Sequence, residues 1–209
     1  MTTWIVFFVV GAYLGGSISS AILLCKAFGY PDPRTKGSEN PGATNVLRVA
    51  GKPIASLVLV FDVLKGALPC YLAFIMGLSE FAIGLIAIAA CIGHMYPIFF
   101  AFKGGKAVAT ALGAMLPMGW PLALALVCTW LLSYRVTRYS SVAALITVGL
   151  APIYTYIYKA QFTLAVSMLS LLIVVKHRSN LIRLIKGQEL KQTRLQQPHA
   201  EPAASDTEK

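Results

Sequence analysis

The chain is 209 residues long, 57% hydrophobic and only 12% charged, with a mean hydropathy of +0.70. Soluble domains carry roughly twice that charge, so the composition excludes one and points to lipid as the solvent. Backbone amides in hydrocarbon must pair internally, which makes the expected fold class an all-α polytopic membrane protein.

Thr3 to Leu24 reads as the first span, retained as an anchor because no Ala-x-Ala cleavage site follows it. Ile54 to Gly77 and Phe81 to Ala101 form a hairpin about a short turn at Gly77, Ser79 and Glu80. Pro117 and Pro121 interrupt Ala107 to Tyr134, which is either one kinked helix or two short ones. Tyr139 to Tyr158 and Phe162 to Val175 make the last hairpin. A single kinked helix would put Lys176, Arg178, Arg183 and Lys186 across the bilayer from the first basic loop, against the positive-inside rule.

Two short helices restore the rule. They give seven transmembrane helices, or five plus a re-entrant pair, with the N-terminus outside and the C-terminus cytoplasmic. Lys26, Arg34, Lys36, Arg48, Lys52, Lys103, Lys106, Arg135 and Arg138 then face the cytoplasm, and Lys159 alone lies outside. The formal charge of +10 is mostly this topology signal. The remainder suits lipid headgroups or anionic substrates, with no nucleic acid needed. Cys25, Cys70, Cys91 and Cys128 lack Cys-x-x-Cys spacing and read as packing residues. No repeat of fixed period is visible, which disfavours an inverted-repeat transporter.

Three polar motifs interrupt the spans. The first runs from Gly37 to Arg48, where Ser38, Asn40, Gly42, Thr44 and Asn45 crowd beside a guanidinium. Turned backbone amides, neutral donors and a forked cation suit a phosphate, whereas the bland alternative is a loop capping a short helix. The second holds Gly93-His94 and then Phe102-Lys103-Gly104-Gly105-Lys106, where Gly104 and Gly105 are expected to open a helix whose free amides face a phosphoryl oxygen. Its spacing is not that of a Walker A loop, and lysines at a membrane exit are also common anchors. His94 either orients a substrate or is a hydrogen-bonded structural group. The third, Lys176 to Leu184, is a basic amphipathic helix that can lie on anionic lipid; His177 and Asn180, three apart, share one of its faces.

Two intramembrane features accompany them. Asp62 and Lys65 each cost about 2.5–3.5 kcal/mol at a helix centre and are expected to pair inside the bundle or to line a polar cavity. Gly11, Gly15 and Ser19 form a small-residue stripe that reads as a packing face.

Taken together, the Gly16 to Ala21 segment, the Asn40 to Arg48 motif, the Gly-His and Phe-Lys-Gly-Gly-Lys-x-x-Ala-Thr segment and Lys176-His177-Arg178-x-Asn180 resemble the PlsY-type membrane glycerol-3-phosphate acyltransferases of bacteria. The resemblance implies a multi-pass protein of the bacterial inner membrane with its site on the cytoplasmic face. It also implies transfer of an acyl group from acyl phosphate to the sn-1 hydroxyl of glycerol-3-phosphate, giving lysophosphatidate, with the donor made by a soluble PlsX-type partner. Lys106, Asn45, His177 and Asn180 would be catalytic. Ser38, Asn40, Gly42, Thr44, Arg48, Gly104 and Gly105 would bind substrate, with neither metal nor cofactor. Residues 1–189 would form the integral membrane acyltransferase domain and 190–209 a disordered cytoplasmic tail. Glu39 departs from the family pattern, in which glycine is more usual, and a carboxylate there weakens anion binding unless it points away or pairs with a lysine.

The His-x-x-x-x-Asp dyad of soluble-type acyltransferases is missing, which fits a donor that is already an activated mixed anhydride. An anion or lipid transporter is the alternative from another class. It needs polar access from both faces, whereas Trp120, Tyr154, Tyr156 and Tyr158 mark the outer ends as aromatic belts.

Overall fold

The computed structural model describes residues 2–191, and every regular element among them is helical. In chain order these are α1 (Thr2–Gly16), α2 (Ser20–Ala27), α3 (Ala43–Val49), α4 (Gly51–Ile75) and α5 (Glu80–Met95). Then come α6 (Val108–Met115), α7 (Trp120–Thr137), α8 (Ser140–Lys159), α9 (Thr163–Lys176) and α10 (Arg178–Ile185). Five runs are long and apolar enough to cross a membrane: Thr2–Ala27, Gly51–Ile75, Glu80–Phe100, Trp120–Thr137 and Ser140–Lys176. The last of these folds back on itself, because α8 packs against α9 about the 3-10 turn Ala160–Phe162. Large side chains such as Phe7, Phe81, Leu132, Ile157 and Leu164 are exposed, a surface suited to hydrocarbon and not to water.

The ambiguous stretch resolves into two helices. α6 ends in the 3-10 turn Leu116–Met118, Gly119 takes a φ of 143° that L side chains avoid, and α7 starts with Pro121 in its first turn, where a missing amide is harmless. Val108–Met118, on the order of 16 Å long, is shorter than a core of about 30 Å, so a crossing there relies on local thinning of the bilayer.

The first span is not the continuous helix expected from Thr3 to Leu24. The Ser17 hydroxyl donates back to the Tyr13 carbonyl at 2.8 Å, and the helix breaks over 17–19 before restarting at Ser20. The break frees the Ile18 carbonyl to accept from Lys65 Nζ at 3.3 Å and brings Ser20 to the level of Asp62.

Packing against lipid rests on close contact, since apolar side chains gain little by leaving hydrocarbon for one another. Small residues supply that contact, though not the expected ones. Gly11 and Gly15 have no neighbour where a Cβ would stand. The close approach of α1 to α5 uses Gly16 against Ala90 and Gly93 against Tyr13, one residue round the helix from the expected stripe. Gly66 and Gly113 do the same for α4 and α6, each meeting the backbone of the other helix. Ile83, Ile86 and Met95 of α5, Met118 and Leu122 at and after the Leu116–Met118 turn, and Val166, Leu169 and Ile173 of α9 fill the core.

Candidate active site

The α2–α3 loop, the α5–α6 loop, the start of α8 and the α9–α10 junction meet at one end of the bundle around a cavity of about 610 Å³. Ser38, Asn40, Gly42, Thr44, Asn45, Arg48, Lys106, His177 and Asn180 all line it. Nine residues proposed from three separated stretches of sequence therefore share one cavity. Below this polar mouth the walls turn apolar, with Leu59 from α4, Leu112 and Met115 from α6, Leu126 and Trp130 from α7, and Val148 and Ala151 from α8. Helical rise places Ala151 on the order of 16 Å beyond Ser140, deep enough for much of an acyl chain.

Asn45 shapes the first loop more than it offers a donor. Its Oδ1 accepts from the Ser38 amide at 2.8 Å, and Nδ2 donates to the carbonyls of Pro33 at 2.8 Å and Lys36 at 3.0 Å. Both amide hydrogens are thus engaged, and the side chain is almost fully buried. A Cβ on Gly37 would strike that same amide, so the chain turns there through a glycine at a φ of 63°. Thr44 Oγ1 lies 3.0 Å from Ser140 Oγ, tying the loop to α8. Ser38 and Asn40 keep their side-chain polar groups for the cavity, since neither makes a side-chain hydrogen bond among the described residues.

The second motif differs from its sequence reading. Gly104 and Gly105 do not open the helix; α6 starts at Val108, after Ala107 at a φ of 60°. The Gly105 amide donates to the His94 carbonyl at 3.0 Å, and a Cβ on Gly105 would overlap the His94 ring. Gly104 is packed equally tightly on the His94 carbonyl and lines a different, smaller cavity. These glycines therefore seat the loop on His94, while Lys106 and the first turn of α6, Ala107 to Ala109, line the large cavity. First-turn amides have no partner within the helix and remain available to an anion.

Lys106 is half-buried in the cavity wall, and desolvation pulls its pKa down to about 8; Glu189 opposes that shift, and Arg183, Arg48 and Lys176 add to it. Arg48 is also pushed below its usual range by burial, against the pull of Glu189. His177 Nδ1 lies 2.8 Å from the Ile173 carbonyl, an acceptor only, so Nδ1 carries the proton and Nε2 presents a lone pair. Burial, then Lys106, lowers the His177 pKa to about 4, leaving the ring neutral at pH 7. Asn180 Oδ1 is buried without a partner. The site therefore offers two unused acceptors beside a cluster of cations.

Glu189 was not among the residues singled out from sequence, yet it closes the site. Its Oε1 accepts from Ser141 at 2.7 Å and from Asn180 Nδ2 at 2.6 Å, and its Oε2 accepts from Arg183 Nε at 2.8 Å. Burial opposes its ionisation, but these three donors win and hold its pKa below the usual carboxylate range. Gly187, at a φ of 67°, turns the chain back after α10, and the Leu190 carbonyl then accepts from Arg48 Nη2 at 3.3 Å. Of the expected tail 190–209, residues from 192 onward lie outside the described residues. The only sequence signal was a carboxylate two residues beyond a glycine at the end of a basic helix.

Asp62 and Lys65 pair as expected, at 2.8 Å and both buried. Asp62 Oδ1 also accepts from Ser20 Oγ at 2.7 Å and lies 3.6 Å from His94 Nδ1. The cluster ties α2, α4 and α5 together under the Gly104–Lys106 loop. Among the described residues no group of three His, Cys, Asp or Glu is placed to hold a metal ion.

Residues 6–187 match the family described as glycerol-3-phosphate acyltransferase. The chain belongs to that family. A glycerol-3-phosphate acyltransferase of Shewanella sediminis is 58% identical over 194 residues, which is 93% of this chain and 97% of the relative. One from Shewanella oneidensis is 56% identical over 91% of this chain and 94% of its own length. A crystal structure of PlsY, an integral membrane glycerol 3-phosphate acyltransferase, in its glycerol 3-phosphate form superposes with a TM-score of 0.86 at 36% identity, covering 90% of this chain and 96% of that one. Its lysophosphatidic acid form gives a TM-score of 0.83.

Proposed function

We propose that the protein transfers an acyl group from acyl phosphate to the sn-1 hydroxyl of glycerol-3-phosphate, releasing lysophosphatidate and inorganic phosphate. The observation that carries this reading is the single cavity that joins a cationic mouth, with Arg48, Lys106 and Arg183, to an apolar trough lined by α4, α6, α7 and α8. A substrate pair with two phosphates and one hydrocarbon chain matches both ends.

The acceptor phosphate sits among Arg48, Lys106 and Arg183, where one carboxylate, Glu189, balances only part of the positive charge. The glycerol moiety presents two hydroxyls, and His177 Nε2 and Asn180 Oδ1 are two acceptors for them. The sn-1 oxygen attacks the acyl carbon, forming the ester bond as the bond to the phosphate oxygen breaks. Its proton goes to a phosphate oxygen. His177 is a poor base with a pKa of about 4, whereas a phosphate monoester, with a second pKa of about 6, takes a proton more readily at neutral pH. Lys106 and the first-turn amides of α6 stabilise the developing oxyanion. Asn45 contributes by fixing the loop that carries Ser38 and Asn40.

In the bilayer, the proposed arrangement is seven crossings with the N-terminus outside and the mouth in the cytoplasm of a bacterial inner membrane. The side-by-side packing of α8 and α9 and the separation of α6 from α7 at Gly119 support the count. The gathering of Arg34, Arg48, Lys103, Lys106 and Arg138 near the mouth, with Lys159 at the far end, supports the orientation. A soluble PlsX-type enzyme would supply the acyl phosphate.

The test is to supply purified protein with acyl phosphate and glycerol-3-phosphate, measuring lysophosphatidate and phosphate together, and solute flux in liposomes in parallel. The proposal requires the two products in one-to-one amounts without flux. Flux without product would make the protein a transporter.

A further inference from the structure

A second cavity of about 410 Å³ lies back to back with the large one. The loop Ser38–Gly42 is the wall between them: Ser38, Asn40 and Gly42 line the large cavity, while Glu39 and Pro41 line the second. The remaining walls of the second carry three cations, Arg34, Lys103 and Lys176, with Phe102 beside them. Nothing in the proposed transfer uses this cavity.

Its charges are not equivalent. Arg34 is already held by Asp32, with Nη2 at 2.7 Å from the carboxylate, so it adds little free charge. Lys176 Nζ donates to the Met95 carbonyl at 2.9 Å and stands 3.9 Å from the centre of the Tyr96 ring, which leaves one of its three N–H groups unused. Lys103 makes no side-chain ion pair among the described residues, and Glu39 makes none either despite its cationic neighbours. Glu39 also holds a φ of 58°, a left-handed conformation that a glycine adopts more cheaply. A site for a plain anion would be weakened by that carboxylate. The pocket instead sets two donor cations beside one exposed carboxylate that makes no ion pair among the described residues.

The surroundings are those of a membrane interface. Tyr96, Phe99 and Phe102 are 45%, 60% and 55% exposed on the segment between α5 and Lys103, forming an aromatic rim next to the lysines. A ligand there has its polar part in the pocket and its apolar part on the rim.

The geometry points to a binding site for the headgroup of a zwitterionic phospholipid, one carrying a phosphodiester and a primary ammonium. Lys103 and Lys176 take the phosphodiester, Glu39 takes the ammonium, and the acyl chains lie along Phe99 and Phe102. Glu39, which is out of place beside a phosphate site, has its counter-ion in the lipid and lies on the far side of the loop from the proposed substrate.

Lipid retention tests this. Protein reconstituted in mixed bilayers of phosphatidylethanolamine and phosphatidylglycerol is extracted, and retained lipid is counted by native mass spectrometry, with inorganic phosphate added in a second arm. Wild type should retain the ammonium-bearing lipid about fivefold over phosphatidylglycerol, the size of one modest charge pair. Glu39→Gln should abolish that preference, Glu39→Asp should keep it, and Lys103→Gln should reduce retention of both lipids. Unfolding temperature checks that each variant is folded, and Lys159→Gln, at the other end of the bundle, should change nothing. Equal retention of the two lipids by wild type, a preference unaltered in folded Glu39→Gln, or phosphate displacing all retained lipid would each overturn the assignment.

Discussion

Glu189 gives the sharpest handle on the site, because one carboxylate both braces it and sets its electrostatics. Glu189→Ala removes three hydrogen bonds. The contact with Arg183, whose side chain is 31% exposed, contributes about 0.2–1 kcal/mol, whereas those from Ser141 and Asn180 contribute about 1.5 kcal/mol or more each. The expected destabilisation is about 3 kcal/mol, a large part of the stability of a typical domain. Glu189→Gln keeps an oxygen for Ser141 and Asn180 and loses less, but it removes the negative charge that raises the Lys106 pKa. Lys106 stays charged below its pKa of about 8 and loses its charge above it, so the alkaline limb of the activity profile starts there in wild type and moves to lower pH in Glu189→Gln. The assays are thermal unfolding in detergent and kcat/KM against pH. A Glu189→Gln enzyme with an unmoved alkaline limb would refute the electrostatic link between the two residues.

Other consequences can be checked on the same preparation. Lys106→Arg should carry its charge well past pH 8 and push the alkaline limb up, while replacing Lys106 and Arg48 together by Ala should abolish turnover without unfolding. His177→Ala should lower kcat/KM through lost positioning, by about 10–100-fold, yet leave the shape of the pH profile between 5 and 8 unchanged, since His177 is neutral across that range. A limb near 6.5 that vanishes with His177 would make it the base after all. Gly105→Ala should displace the Lys106 loop from His94 and reduce turnover more than stability, as read by kcat beside the unfolding temperature. Asp62→Ala leaves Lys65 buried without its partner and should cost about 3–5 kcal/mol of stability.

Hydropathy and charge made the membrane class, the hairpins and the common end of the three motifs legible, because those signals are periodic and additive along the chain. Pro117 and Pro121 marked the break between α6 and α7 because two prolines four apart fit best in the first turns that follow a break, although α4 and α8 each carry a single interior proline, Pro69 and Pro152. Tertiary partners were less visible. Gly105 reads as an anion-binding glycine until His94, eleven positions earlier, is found against it. Asn45 reads as a free donor until the carbonyls of Pro33 and Lys36 take both its hydrogens. Gly16 and Gly93, not Gly11 and Gly15, make the helix contact, a rotation about the helix axis that only the neighbouring helix decides. Glu189 escaped notice because its importance lies in three partners on α8 and α10, none of which its local sequence announces.

The identity of the acyl donor is the claim on which the proposed mechanism rests, since a neutral His177 favours a donor that arrives activated and brings its own proton acceptor. Purified protein should therefore be given glycerol-3-phosphate with acyl phosphate, acyl carrier protein thioester or acyl-CoA at equal concentration, and the ester position of the lysophosphatidate read by NMR. The account predicts 1-acyl product from acyl phosphate alone. Comparable turnover with either thioester, or none with acyl phosphate, would contradict it.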